Sequence, residues 1–241
     1  MRIDVLGVGF DDLTASEAAS AAVCHFSGGA AAPAYAVTPN PEIVWLARKN
    51  SALRDAISGA ALVLPDGIGI VYGARILGTP LKERVPGIDF AAALLASLAE
   101  RGGGVYLLGA KPGVAETAGD KLRETYPGLV IAGTRDGYFE DDAAVIAEIN
   151  AKAPDLLLVC LGAPKQELWI AKNIAGLAVG LAIGLGGALD VWAGTVKRAP
   201  ERWRRLGLEW LYRLLREPRR IGRMMSLPKF LFAVIWRRIR G

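Results

Sequence analysis

Short apolar runs alternate along the chain with longer segments whose apolar residues recur every three or four positions. Seven runs have the length of a strand: 3–8, 34–37, 61–64, 105–108, 129–132, 156–161 and 177–183. Helical periodicity fills the intervals near residues 14–26, 41–58, 68–77, 88–101, 112–125, 141–151 and 164–173. Apolar strands separated by helices are typical of a parallel sheet that is covered on both faces. The pattern predicts an α/β fold with a mainly parallel sheet.

Local signals support several of these helices. Thr14 precedes Glu17 by three residues, which is the spacing of a capping box. Pro112 and Pro164 stand where the first residue of a helix is expected. The alternation of strands and helices continues to about residue 196, where the composition changes, so the sequence predicts a domain over residues 1–196.

Charge distinguishes the two sides of this boundary. The chain has 29 Lys and Arg residues against 24 Asp and Glu residues, a net charge of +5. Residues 197–241, which we call the appendage, hold 14 of the basic residues and three acids, so their net charge is +11. The other 15 basic and 21 acidic residues give residues 1–196 a net charge of −6. The sequence thus predicts an acidic domain followed by a basic, helical appendage.

Aromatic residues lie among the arginines of the appendage, at Trp203, Trp210 and Trp236. This mixture suits the surface of an anionic membrane, and it could also suit nucleic acid. The plain alternative is an amphipathic helix with a solvated basic face, which the concentration of positive charge disfavours. We expect an anionic membrane surface as the partner and no nucleic acid.

No stretch of the sequence is long enough to cross a bilayer comfortably. The uncharged stretch 174–189 has 16 residues and five glycines, whereas a spanning helix needs about 20 predominantly apolar residues. The N-terminal residues also lack the charged and then apolar form of a signal peptide. We therefore expect a cytoplasmic domain.

Glycine, proline and one or two polar residues follow most of the predicted strands. Five such loops cover residues 38–42, 65–67, 109–113, 162–167 and 184–187. The carboxyl ends of parallel strands meet at one edge of a sheet, where ligands bind. Small residues at helix N-termini also let backbone N–H groups approach a phosphate. Together the loops predict a nucleotide-type ligand.

Familiar nucleotide and metal motifs are missing. The sequence has no G-x-x-x-x-G-K-[ST] motif, so a P-loop enzyme is excluded. Residues 184–189 approach G-x-G-x-x-G but lack the last glycine and come late in the chain, which makes a nicotinamide dehydrogenase a poor second choice. The single histidine, His25, excludes an HExxH zinc site. Because a D-x-D pair is also absent, we expect no metal and no cofactor, and arginines or backbone dipoles would neutralise a diphosphate.

Seven motifs follow one another in a characteristic order. They are TPNPE at 38–42, LPDGIG at 64–69, RVPGID at 84–89, LLGAKPG at 107–113, GTRDGYF at 133–139, LGAPKQE at 161–167, and the set Gly184, Gly187 and Asp190. A run from Arg198-Ala199-Pro200 through Trp210, Arg213, Arg216, Pro218 and Arg220 comes after them. Over about residues 1 to 225 the chain resembles the WecG/TagA/CpsF family, glycosyltransferase family 26.

The resemblance implies a Rossmann-like fold with a C-terminal appendage, and an enzyme of bacterial surface-polysaccharide assembly. Members transfer a sugar, with inversion and without a required metal, from a UDP donor to a sugar linked to undecaprenyl diphosphate. Their donors carry N-acetylmannosamine, its uronic acid or a glucose-type sugar. The expected partners are a UDP-sugar and a lipid-diphosphate-linked sugar, met by a peripheral enzyme on the inner face of the cell membrane.

The resemblance also implies which residues form the site, and it identifies Asp66 as the base. Four polar residues are implied to line its pocket: Thr38, Asn40, Arg84 and Gln166. Three arginines match by spacing those that reach over the diphosphate: Arg213, Arg220 and Arg223. Nine further positions in the motifs are implied to bind substrate: Gly109, Lys111, Asp136, Tyr138, Gly162, Lys165, Glu167, Gly187 and Asp190.

The residues themselves leave alternatives for some of these roles. An aspartate can take the proton of an acceptor hydroxyl, but Asp66 followed by glycine could equally be a helix N-cap. Thr38 and Asn40 lie beside prolines and could be turn or cap residues. Gln166 could serve only to cap its helix.

The arginines of the appendage recur every three or four residues, at Arg213, Arg216, Arg220 and Arg223. A continuous helix would place them roughly on one face, although Pro218 interrupts it. Three classes of function therefore stay open: a lipid-linked sugar transferase, which we favour; another Rossmann-type nucleotide enzyme; and a non-catalytic membrane or nucleic-acid binder built on the basic appendage. A homo-oligomer stays open as well.

Overall fold

The computed structural model describes residues 2–26, 32–218 and 221–240, apart from the side chain of Arg223. Its strands are β1 (Arg2–Val5), β2 (Val8–Asp11), β3 (Ala34–Val37), β4 (Leu62–Val63), β5 (Gly104–Gly109), β6 (Val130–Arg135), β7 (Leu156–Cys160) and β8 (Leu181–Gly184). Strands β3 to β8 form one parallel sheet in the order β4-β3-β8-β7-β5-β6. The predicted α/β fold with a mainly parallel sheet is confirmed.

Helices precede, connect and follow these strands. They are α1 (Ala15–Val23), α2 (Pro41–Ala47), α3 (Ser51–Ser58), α4 (Ile68–Leu77), α5 (Gly87–Ala99), α6 (Val114–Thr125), α7 (Asp142–Lys152), α8 (Lys165–Asn173), α9 (Ala188–Trp192), α10 (Glu201–Arg205), α11 (Glu209–Arg216), α12 (Ile221–Met224) and α13 (Ser226–Arg240). The predicted capping box of α1 is present, because Thr14 accepts from the backbone of Glu17 and the Glu17 side chain accepts from the backbone of Thr14. The structure places Pro164 at the N-cap of α8 and Gly113 at that of α6, so both proline predictions missed by one or two residues.

The predicted first strand, 3–8, is wrong, because the chain reverses within it. Leu6 and Gly7 have φ values of 59° and 91°, and the backbone N–H of Gly7 donates to Asp4 Oδ2 at 3.0 Å. Two successive positive φ angles are the signature of a type I′ hairpin turn. Residues 2–11 therefore form the separate antiparallel hairpin β1–β2.

Two other predicted elements are shorter than expected. The helix expected over 41–58 is broken, because the side chain of Asn50 accepts from the backbone of Leu53 and starts α3 as a new helix. The strand expected over 177–183 begins only at Leu181, since a 3₁₀ turn over Ile174–Gly176 precedes it and Asn150 accepts from the backbone of Ala178. Hydrogen bonds from the backbone to an asparagine side chain accompany both breaks.

Helices cover both faces of the sheet, so successive strand residues enter two different cores. In β5, Tyr106 and Leu108 pack on one side, against residues of α2, α3, α7 and α8. Val105 and Leu107 pack on the other side, against residues of α1, α5, α6 and α9. All four side chains are fully buried, which explains why the strands are apolar runs rather than alternating patterns.

The last helix of the appendage returns to the domain. Helix α13 packs against α2 and α4, and Phe230 and Val234 are buried there. A Cβ at Gly73 would lie 3.1 Å from Phe230 and 3.4 Å from Val234, so the absence of a side chain allows α4 and α13 to approach closely. The opposite face of α13 exposes apolar side chains: Leu231, Phe232, Ile235, Trp236 and Ile239.

No helix within the described ranges combines the length and the apolar content needed to cross a bilayer.

Two phenylalanines of α13 test this packing. Phe230 is 2% exposed and Phe232 is 68% exposed. A buried Phe→Ala exchange costs about 3–5 kcal/mol through lost burial and a residual cavity. We expect Phe230→Ala to lower the free energy of unfolding by about 3 kcal/mol in urea titrations and to speed hydrogen exchange in α13. Phe232→Ala should leave both unchanged, and equal effects of the two exchanges would contradict the packing.

Candidate active site

The strand order creates a crevice at the carboxyl edge of the sheet. Strands β3 and β8 are neighbours, yet α2, which follows β3, packs on one face of the sheet and α9, which follows β8, packs on the other. The two loops therefore diverge. Such a switch point is where ligands bind in open parallel sheets.

Asp66 lies beside this crevice in the loop after β4. Its backbone N–H donates to the carbonyl oxygen of Pro39 at 3.3 Å, which ties it to the loop after β3. Its Oδ2 lies 3.5 Å from the backbone nitrogen of Gly87, a long contact. The N-cap of α4 is Gly67, with no capping side chain. Asp66 is therefore not the N-cap of α4, the helix that follows it.

Thr38 and Asn40 lie in the neighbouring loop. A Cβ on Gly87 would lie 2.6 Å from Thr38 Oγ1, so only glycine permits this approach of α5 to the loop. Asn40 Oδ1 accepts from the backbone of Ile43 at 3.0 Å, and Asn40 thus caps α2. The capping alternative for Asn40 is observed, and a Cβ on Gly67, the residue after Asp66, would lie 3.7 Å from the Cβ of Asn40.

A carboxylate of the appendage joins two arginines beside Asp66. Glu209 Oε1 lies 2.6 Å from Arg213 Nη2 within α11, and Glu209 Oε2 lies 3.7 Å from Arg84 Nη2 of the domain. The side chains of Glu209 and Arg84 are only 15% and 16% exposed. The appendage therefore reaches the crevice and supplies charge to it.

A second contact fixes the start of the appendage. Both Nη atoms of Arg198 donate to Asp89 of α5 at 2.6 Å. Desolvation alone would raise the pKa of Asp89, but the paired Arg198 guanidinium outweighs it and the pKa is lowered. Farther along, a Cβ on Gly207 would lie 3.1 Å from Ile68. The segment between these contacts therefore runs from α5 to the start of α4, which follows the loop that contains Asp66.

Desolvation and opposing charges set the proton affinity of Asp66. Loss of water around the partly buried carboxyl raises its pKa, the charge of Arg84 lowers it, and the charge of Glu209 raises it again. Weaker lowering effects come from the Gly87 N–H and from Arg213. The net result is a raised pKa, which makes Asp66 a stronger base than an exposed aspartate.

Gln166 and Glu167 lie beneath the loop after β8. Gln166 Oε1 accepts from the backbone of Gly186 at 2.8 Å, and its Nε2 donates to Glu167 Oε1 at 2.8 Å. The two residues are 3% and 2% exposed, and burial raises the pKa of the Glu167 carboxyl. Gln166 supports the Gly186 loop and does not cap α8, whose N-cap is Pro164.

Other motif residues gather at the far end of the same edge, after β5, β6 and β7. Asp136 Oδ1 accepts from the backbone of Tyr138 at 2.8 Å, and Lys165 Nζ donates to the carbonyl of Gly137 at 3.3 Å. Tyr138 is 72% exposed. The predicted substrate-binding residues at this end are Gly109, Lys111, Asp136, Tyr138, Gly162 and Lys165. The structure thus divides the predicted residues into two groups, with β8 between them.

The loop after β8 continues into the appendage through Gly187 and Asp190. The carbonyl oxygen of Asp190 accepts from the Thr195 hydroxyl at 2.9 Å and from the backbone of Val196 at 3.1 Å. Beyond this turn, a cleft opens between residues 195–197 and α11, lined by Thr195, Val196, Lys197, Tyr212, Arg213, Arg216 and Glu217. Asp190 therefore shapes the turn from which the appendage leaves the domain.

Some of the predicted site residues lie outside the described part of the chain. One residue that the structure places at the site was not predicted. Arg220 and the side chain of Arg223 lie outside the described residues. Glu209 had no predicted role, although it is one of only three acids in the appendage and stands four residues before Arg213. That spacing is typical of a helical ion pair and could have indicated it. Among residues 2–26, 32–218 and 221–240, no three His, Cys, Asp or Glu residues are grouped so as to hold a metal ion.

Comparison with known proteins gives consistent matches over nearly the whole chain. The model of the glycosyl transferase WecG/TagA/CpsF family matches residues 3–241. The N-acetylglucosaminyldiphosphoundecaprenol N-acetyl-beta-D-mannosaminyltransferase of Bacillus spizizenii is 42% identical over 203 residues, 84% of this chain and 79% of that protein. The protein of the same name from Bacillus subtilis is 39% identical over 198 residues, 82% and 77% of the two chains. That of Staphylococcus aureus is 36% identical over 234 residues, 97% and 92%.

Proposed function

The chain belongs to the WecG/TagA/CpsF glycosyltransferase family, and we propose that it transfers N-acetylmannosamine from UDP to N-acetylglucosaminyl diphosphoundecaprenol. The acceptor and the sugar are those in the names of its relatives. The UDP donor, the inversion of the anomeric centre and the independence from metal are our proposals for this chain, with the uronic acid and glucose-type sugars as other donors to test.

One observation carries the mechanism: a carboxyl of raised pKa lies next to arginines at the switch point of the sheet. In the proposed reaction the acceptor hydroxyl oxygen attacks C1 of the donor sugar from the face opposite UDP. The C1–O bond to the diphosphate breaks, and UDP leaves with its electron pair. The hydroxyl proton passes to Asp66.

Charge on the leaving diphosphate has to be neutralised while the C1–O bond breaks. Arginines provide permanent charge and paired N–H donors for phosphate oxygens, and Arg84 and Arg213 lie next to Asp66. We assign the diphosphate to these two residues, with Arg220 and Arg223 as further candidates. Thr38, Asn40 and the loop that Gln166 supports would hold the donor sugar, and the group that contains Lys111, Asp136, Tyr138 and Lys165 would contact the nucleotide.

The appendage would bring this site to the lipid that carries the acceptor. Helix α13 buries one face against the domain and exposes a second apolar face. Arg237, Arg238 and Arg240 follow Trp236, whose ring has the Arg240 guanidinium 4.1 Å from its centre. Basic residues next to an interfacial aromatic favour anionic headgroups by about 1 kcal/mol per cation. We therefore propose peripheral binding through α13, with residues 1–196 as the catalytic domain and residues 197–241 as the part that completes it.

A donor panel tests the proposed reaction. Purified protein is mixed with N-acetylglucosaminyl diphosphoundecaprenol, or a short-chain analogue, and with UDP-linked N-acetylmannosamine, its uronic acid or glucose, with EDTA present throughout. We expect UDP release and a product heavier by one N-acetylhexosamine with the first donor. Turnover that appears only when Mg²⁺ or Mn²⁺ is restored would refute metal independence, and no product from any donor would refute the proposed transfer.

The role of Asp66 is tested by a change that keeps its shape. Asp66→Asn cannot accept the proton, so turnover should fall by about 10²–10⁴ while binding of the donor is largely kept. The matched control is Asp120→Asn on α6, where the replaced carboxyl is 70% exposed and pairs only with Arg123 among the described residues. Initial rates and equilibrium binding of UDP are measured for both. A near-normal rate in the Asp66 variant would exclude it as the base.

Binding to the membrane is tested on exposed residues, so that the fold is kept. Phe232 and Ile239 are 68% and 75% exposed. The double change Phe232→Ser with Ile239→Ser should abolish sedimentation with vesicles that contain anionic phospholipid, but should leave turnover of a soluble short-chain acceptor unchanged. The control is Val130→Ser, at an exposed apolar residue of the edge strand β6. Vesicle binding that survives the double change would mean that α13 is not the membrane contact.

A further inference from the structure

Three described arginines whose charges act on Asp66 are each paired with another carboxylate. Arg198 gives both Nη atoms to Asp89. Arg84 and Arg213 share the carboxylate of Glu209. Within the part of the chain that the structure describes, none of these guanidinium groups forms an ion pair with Asp66.

This arrangement of ion pairs depends on Glu209. Arg84 is close enough to Asp66 for its charge to lower the pKa of that carboxyl, and no other described carboxylate forms an ion pair with Arg84. Without the Glu209 charge, the Arg84 guanidinium would be free to pair with Asp66, a carboxylate on which its charge already acts. A bidentate arginine pair would occupy the carboxylate oxygens that have to accept a proton.

We propose that Glu209 is a positioning residue, which holds Arg84 away from Asp66 and thereby keeps the Asp66 carboxylate free to act as the base. This inference rests on the proposed function of Asp66. Glu209 belongs to α11 of the appendage, whereas Arg84 and Asp66 belong to the domain. Asp66 is therefore an effective base only while α11 lies over the crevice, so proton transfer is coupled to closure of the appendage.

The charges that face Asp66 give the direction of the expected pH effect. They are Arg84 before α5, Arg198 before α10, and Glu209 and Arg213 on α11. Loss of the Glu209 charge removes one influence that raises the pKa of Asp66 and leaves Arg84 free to lower it. Transfer needs ionised Asp66, so the rate rises with pH through this pKa, and the acidic limb of the rate profile should move to lower pH.

The test is Glu209→Gln, which keeps the size and a hydrogen-bonding oxygen but removes the charge. We expect kcat on a soluble acceptor to fall by about tenfold, less than for Asp66→Asn, because the base is weakened and not removed. The acidic limb of the pH profile of kcat should move to lower pH. A residue that only stabilises the fold would lower the rate without moving this limb, and an unmoved limb would overturn the proposal.

Two further variants separate charge from structure. Glu209→Asp keeps the charge and should leave the acidic limb near its wild-type position. Glu201→Gln is the matched control, because Glu201 forms the same kind of i,i+4 pair with Arg205 at 2.5 Å on the exposed α10. The Glu201→Gln exchange should change neither kcat nor the position of the acidic limb in the pH profile of kcat. A shift of equal size in the Glu201 variant would show a general effect of charge on the appendage and would refute a specific role for Glu209.

A measurement that needs no turnover separates this inference from the proposed reaction. The Asp66 carboxyl is titrated by ¹³C NMR in the full-length protein and assigned with the Asp66→Asn variant. We expect its midpoint to be lower in Glu209→Gln than in the wild type. An unchanged midpoint would refute the role of Glu209 even if the enzyme is active, whereas a lowered midpoint in a protein with no transferase activity would refute only the proposed reaction.

Discussion

Balance of charge at the carboxyl edge of the sheet is the constraint on which the rest of this site depends. The domain contributes two acids and one arginine there: Asp66, Asp89 and Arg84. The appendage contributes two arginines and one acid: Arg198 pairs with Asp89, and Glu209 lies between Arg84 and Arg213 of its own helix. Charges removed from water require partners. Neither part balances its own charges, so the charges at this edge are balanced only when the appendage covers the domain.

The appendage meets the domain in two different ways, and this difference organises the molecule. Helix α13 is held by buried apolar contacts of Phe230 and Val234 with α2 and α4. Helices α10 and α11 contain no buried residue and are held by ion pairs above the crevice. The apolar contact holds α13 on the domain, whereas the polar contacts place charged residues of α11 beside Asp66. A single basic segment thus provides both an exposed apolar face and charged groups beside Asp66.

Local sequence patterns predicted most of the fold, because both faces of the sheet are buried. Strand β3 and helix α4 have the predicted bounds, Ala34–Val37 and Ile68–Leu77. The β1–β2 hairpin was missed because its turn, Leu6-Gly7, lacks the Asn-Gly or Asp-Gly pair that usually marks a type I′ turn. Motifs likewise predicted the loop of Asp66, but they could not predict the bridge from Arg84 to Glu209. That bridge joins segments far apart in the chain and exists only after the appendage has folded over the domain.

The polar attachment of α10 and α11 has a consequence for how the crevice opens. The Arg84–Glu209 pair is long, at 3.7 Å, and the desolvation of two such weakly exposed ions offsets much of their attraction. A helix with no buried side chain also adds little hydrophobic stabilisation. The free energy that holds these helices over Asp66 is therefore small compared with that of the cores around the sheet. Since α13 is anchored by Phe230 and Val234, α10 and α11 can lift while the end of the chain stays in place. In the proposed reaction, a long lipid-linked acceptor would need such an opening, and the return of Glu209 to Arg84 would then restore the charge balance around the proposed base.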